Sequence, residues 1–137
     1  MKTIINSIIA GISATIVLTI MMFLKGMMGL MPELDIIHML AEMLGTALIV
    51  GWIMHFMIGA GYGIAFHIIK NILPGESFMI KGVVLGILGW LGMMLMIMPM
   101  VGAGVFGVNL GLMAPIMTLM MHIVFGAVLG LVYKKLA

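Results

Sequence analysis

Four long apolar stretches, separated by short polar or glycine- and proline-bearing breaks, set the pattern of this chain. The first, from about Ile4 to Leu30, stops at Met31-Pro32. Its apolar run is long enough for a membrane span and too long for the core of a cleaved signal, so it is expected to be a retained helix. Residues 33–44 carry Glu33, Asp35 and Glu42 among apolar positions and read as an amphipathic lead-in near the surface. Gly45 or Gly51 is the natural break before a second span at about 46–69. Residues 71–77, with Pro74-Gly75, predict a turn. A third span runs from about Phe78 to Met98 and ends at Pro99. The glycine-rich residues 100–111 connect it to a fourth at about Leu112 to Tyr133.

Composition fits that pattern. Of 137 residues 65% are hydrophobic and only ten are charged, far below the roughly 25% of a soluble domain. The expected fold is an all-α integral membrane four-helix bundle forming a single domain, residues 1–137. There is no cysteine, hence no disulfide or thiolate chemistry. Six lysines without arginine are too few and too scattered for a nucleic-acid partner. They do orient the bundle: Lys2, Lys70, Lys81, Lys134 and Lys135 fall on one side and Lys25 alone on the other. The positive-inside rule then puts both termini in the cytoplasm, with the chain expected in a cytoplasmic membrane.

A shift of 67 residues lays the chain on itself. Met31-Pro32 falls on Met98-Pro99, Met54-His55 on Met121-His122, Gly59-Ala60 on Gly126-Ala127, Gly63 on Gly130 and Phe66 on Tyr133. Fourteen identities occur between residues 17 and 66 without a gap. Leucine and isoleucine matches carry little weight in two apolar sequences. The pattern Met-His-x3-Gly-Ala-x2-Gly-x2-aromatic, present twice, carries much more. It predicts two tandem helix-pair repeats, about residues 4–70 and 71–137, crossing the membrane in the same sense. His55 and His122 should then lie at matched depth near mid-membrane.

An ionisable side chain at that depth is expensive and marks a candidate site. At 100° per residue, His55, Gly59, Gly63 and Phe66 share a stripe about 80° wide, as do His122, Gly126, Gly130 and Tyr133. Two such faces would hold a flat macrocycle, with the imidazoles as axial ligands of haem iron and the glycines making room for its ring. Two plainer readings compete. Gly59-x3-Gly63 and Gly126-x3-Gly130 are also the pattern by which membrane helices pack closely, and paired histidines also serve as interhelical hydrogen bonds or as a proton or ion path.

Other polar residues change the picture little. His38 and Glu42 stand at i, i+4 and read as a solvated helix face, with a surface metal as the sharper alternative. His67, close to Lys70, reads as interfacial. Ser7, Ser13, Thr15 and Thr19 are expected to bond their own backbone. The 20 methionines, including Met96-x-Met98-x-Met100, suit Cu(I) as thioether ligands but equally serve as flexible apolar filler.

The runs MPELD, GWIMHFMIGAGYG, MPMVGAGVFG and LMAPIMTLMMHIVFGAVLGLVY resemble a family of small bacterial four-helix membrane proteins of undetermined function, over nearly the whole chain. More loosely, four helices with mid-membrane histidines are similar to small b-type cytochromes. That resemblance implies one haem b on His55 and His122, and electron transfer with quinone or another redox partner. His38 and His67 have no counterparts in the other repeat, so a second haem is not implied. A small transporter or channel subunit, with the histidines as a proton or ion relay, is the alternative. A structural protein assembled through its glycine faces, as a homo-oligomer in the lipid bilayer, is the third.

Overall fold

The four apolar stretches form four helices in the computed structural model, which describes residues 2–137 and side chains from residue 3 onward. The side chain of Lys2, one of the lysines counted for orientation, lies outside that range. The spans are α1 (Lys2–Met27), α3 (Leu48–Ile69), α4 (Phe78–Met100) and α5 (Met113–Leu136), with a short helix α2 (Ile36–Met43) between the first two. Each span is long and apolar enough to cross a bilayer. Large hydrophobic side chains such as Ile5, Ile20, Met57, Leu88 and Met120 stand exposed on the outer faces. The protein is a multi-pass membrane protein.

Helix ends follow local chemistry. α1 stops at Met27, one turn short of Leu30, because the chain turns left-handed at Gly29 (φ 69°) and again at Met31 (φ 45°). The Lys25 ammonium reaches past the helix end to the carbonyls of Leu30 and Met31 and holds this turn. Asp35 caps α2, accepting from the backbone N–H of Ile37 at 3.0 Å and of His38 at 3.2 Å. Gly45 (φ 62°) makes the break before α3.

α4 does not end at Pro99. It runs regularly to Gly92, widens into a π-helical turn at Met93–Ile97, and continues through Met98–Met100. Proline has no N–H for the carbonyl four residues back, and the wide turn, in which the Met98 N–H bonds the Met93 carbonyl, absorbs that mismatch. In α5, Pro115 lies within the first turn, where no intrahelical N–H bond is required.

The helices form an incomplete ring in the order α3, α1, α5, α4. α1 packs on α3 and α5, and α4 packs on α5, whereas α3 and α4 scarcely touch. Helices in lipid gain nothing from hydrophobic attraction to one another and associate through close van der Waals contact, so small residues mark the seams. A Cβ at Gly11 would lie 2.1 Å from the Gly59 carbonyl oxygen, and one at Gly63 1.9 Å from that of Ser7. The second pair is equally tight: a Cβ at Gly82 would lie 2.1 Å from the Gly126 oxygen, and one at Gly130 2.0 Å from that of Phe78. At the 67-residue offset Gly82 corresponds to Thr15 and not to Gly11. The α4–α5 seam is therefore slid by one helical turn relative to the α1–α3 seam.

Two apolar clusters fill the interior. One, with Ala10, Phe66, Phe125, Leu129 and Tyr133, lies toward the end where the termini meet, and there Asn6 Nδ2 donates to the Leu136 carbonyl at 2.8 Å. The other, with Leu34, Met94, Met98, Ala103 and Ala114, lies at the opposite end.

Candidate functional site

The sparse contact between α3 and α4 leaves a cavity of about 460 Å³. α1 contributes Thr15, Leu18, Met22 and Lys25 to its wall; α3 contributes His55, Gly59 and Tyr62; α4 contributes Gly89, Gly92 and Met93; α5 contributes Thr118, His122 and Phe125. Ile36, Met39 and Leu40 cover it from the α2 side. Ile58, Leu88 and Met96 belong both to its wall and to the exposed outer surface, so it opens sideways between α3 and α4. Toward the termini it is closed by aromatic rings. Tyr62 stands edge-on to Phe125 at 5.4 Å, and beyond them Phe66, Phe78 and Tyr133 pack mutually at 5.1–6.4 Å. The size and apolar lining are those of a small-molecule site.

Both histidines line this one cavity, at similar depth. His55 is seven residues into α3 and His122 nine into α5, which is about 10 and 14 Å along the axis from the same end. Their hydrogen bonds differ. The Thr19 hydroxyl donates to the Thr15 carbonyl at 2.7 Å, and the His55 Nε2 lies 3.0 Å from that hydroxyl. A hydroxyl has one proton, already given, so Nε2 donates and Nδ1 keeps its lone pair. In His122 the Nδ1 lies 2.7 Å from the Thr118 carbonyl, which only accepts, so Nδ1 donates and Nε2 keeps its lone pair. Every buried side-chain nitrogen and oxygen among the described residues has a partner, so these free ring nitrogens border open space. By sequence offset Thr19 corresponds to Gly86, but the one-turn slide puts Gly86 level with Thr15, where a Cβ would lie 2.3 Å from the His122 carbonyl oxygen, and Trp90 level with Thr19.

The four glycines singled out with the histidines part company. Gly59 lines the cavity and also receives Thr15 against its backbone. Gly63, Gly126 and Gly130 serve the helix seams and do not reach the cavity wall. Room beside the histidines comes instead from Gly89 and Gly92 on α4. Nothing lies within 4 Å of a Cβ placed on Gly92.

Several residues of the site were not evident from the sequence. Trp90 Nε1 donates to the Pro115 carbonyl and to Thr118 Oγ1, both at 3.1 Å, fixing the turn that holds His122. Lys25 is buried in the cavity wall. Glycine at 89, against the Tyr62 hydroxyl, was the one hint of a close approach. Of the remaining histidines, His38 pairs with Asp35 at 2.8 Å on the exposed side of α2, and His67 Nδ1 meets the Tyr133 hydroxyl at 2.7 Å near the termini. Neither touches the cavity. Among the described residues, no three His, Asp or Glu side chains cluster to hold a metal ion by themselves.

The fold and cavity define a small helical-bundle protein of the membrane with an intramembrane pocket. Over its whole length, residues 1–137, the chain matches the family of unknown function DUF6789, and it belongs to that family. Comparison with curated proteins and with solved structures finds no match.

Proposed function

We propose that this protein binds one haem b in the lateral cavity of a bacterial cytoplasmic membrane, with both termini in the cytoplasm and two tandem helix-pair repeats supplying one histidine each. The observation that carries this reading is His122. Its Nδ1–H is fixed on a backbone carbonyl and its Nε2 is left bare in an apolar cavity, which is how proteins orient a metal-ligating imidazole. Haem asks the protein for only one or two axial ligands. His122 would supply the first, and His55, on the same cavity, would supply the second through the ring nitrogen that Thr19 does not hold. Gly59, Gly89 and Gly92 leave space for the ring. Bound haem would supply one-electron chemistry, and the sideways opening suits exchange with a quinone in the lipid.

The relay alternative has less support. The Thr15 and Thr19 hydroxyls below His55 donate to the backbone carbonyls of Gly11 and Thr15, and a carbonyl acceptor has no proton to pass on.

The test is an absorption spectrum of the detergent-purified protein, as isolated and after dithionite. A Soret band with sharp reduced bands is expected, absent in His122→Ala and altered to a five-coordinate form in His55→Ala. A protein that stays colourless after expression with added haem overturns the reading.

A further inference from the structure

Lys25 is only 7% exposed and belongs to the wall of the main cavity and of a smaller one beside it, of about 310 Å³. It continues the stripe Thr15, Leu18, Met22, Lys25, whose 3-4-3 spacing keeps one face of α1 toward the cavity. An ammonium has three N–H donors. Two are taken by the carbonyls of Leu30 and Met31, which satisfy hydrogen bonds without neutralising the charge. Glu33 and Asp35 both stand near enough to act on Lys25, but neither reaches it in a salt bridge, and Asp35 has one oxygen on the α2 N-terminus and the other on His38. Among the described residues no carboxylate forms a salt bridge with Lys25. A lysine so buried ordinarily has a partner of opposite charge.

We propose that Lys25 anchors the carboxylate of the molecule held in the cavity, and hence, on the haem reading above, a haem propionate. Thr19 marks the depth of His55, and Lys25 lies six residues further along α1, about 9 Å by helical rise. Half the width of a porphyrin and its two-carbon acid arm cover that span. The ring would lie among apolar side chains, with its acid edge toward the end of the cavity that α2 covers, where Lys25 stands. The third N–H of Lys25 goes to the propionate. A role as a cap for the end of α1 is compatible with this and is separated from it by the test.

Protein purified without haem is titrated with haem b and with its dimethyl ester, which keeps the iron and ring but carries no acid, and binding is followed by the Soret band. The wild type should bind the free acid at least tenfold more tightly. Lys25→Gln should bring the two affinities together, and Lys25→Arg should keep the preference. Equal affinities in the wild type overturn the anchor while leaving haem binding intact, and so does a preference that survives Lys25→Gln. Uptake of neither compound overturns the haem reading and this inference with it. If Lys25→Gln fails to fold, the wild type and Lys25→Arg still decide.

Discussion

His55 donates from Nε2 to the Thr19 hydroxyl across the α1–α3 seam, at 3.0 Å. His122, its counterpart in the second half, turns its Nδ1 back onto its own helix at Thr118. Two histidines in matching sequence contexts, both lining one cavity, thus leave opposite ring nitrogens free, because Thr19 on the neighbouring helix meets one ring while the other turns to its own backbone.

Thr19→Val keeps the shape of the side chain and removes the acceptor. The His55 N–H is then left unpaired in a buried place, at a cost of about 1–2 kcal/mol by the usual range for membrane side-chain hydrogen bonds. Thr19→Ser restores the hydroxyl and should recover most of it. Unfolding of the purified protein in mixed micelles reads both. Equal stability of the valine and serine variants would show that the hydrogen bond carries no weight.

Gly63 and Gly126 sit backbone to backbone with neighbouring helices, whereas Gly61 faces open space. Gly63→Leu and Gly126→Leu should each destabilise by 3 kcal/mol or more, at or above the ordinary range of about 1–3 kcal/mol for overpacking. Gly61→Leu should cost nothing measurable. The comparison is made by thermal unfolding, and three similar melting temperatures would remove glycine packing as the basis of the seams.

Gly92 separates cavity from fold. Its Cβ position is empty, so Gly92→Leu fills the site without pressing on a helix and removes a flexible residue from a helix interior. Thermal stability should hold or rise by about 0.5–1 kcal/mol. Retention of haem or of any other cavity ligand should fall at least tenfold. Unchanged ligand binding in this variant would place the ligand elsewhere.

Orientation is tested with the thiol that the natural chain lacks. A cysteine at Glu76, in the exposed turn between α3 and α4, should react with a membrane-impermeant maleimide only after the cells are opened. A cysteine at Val108, on the exposed connection before α5, should react in intact cells. The reverse pattern would invert the topology.

Much of the architecture was legible in the sequence because a bilayer asks so little of it: about twenty apolar residues per span, small residues where backbones meet, breaks at glycine and proline. The four spans, the break at Gly45 and the hydroxyls of Ser7, Thr15 and Thr19 returning to their own backbone all follow from local rules. What failed was non-local. Pro99 was expected to end α4, and only a widened turn upstream lets the helix continue. Gly63, Gly126 and Gly130 share a helical stripe with the histidines, but a stripe 80° wide (by helical geometry) spans both the cavity and the neighbouring helix, and the slide of one turn between the seams decides which residue meets which. Lys25 was assigned only to a side of the membrane, since nothing in its neighbours foretold that the chain would fold back and offer it two carbonyls.

The sparse contact between α3 and α4 has a consequence for anything that occupies the space between them. A solute that enters there is drawn from the two-dimensional solution of the bilayer, where oily molecules are already concentrated by partitioning. Occupancy is then governed by mole fraction in lipid, so diluting the sample with buffer should scarcely empty the site, whereas diluting it with added lipid should.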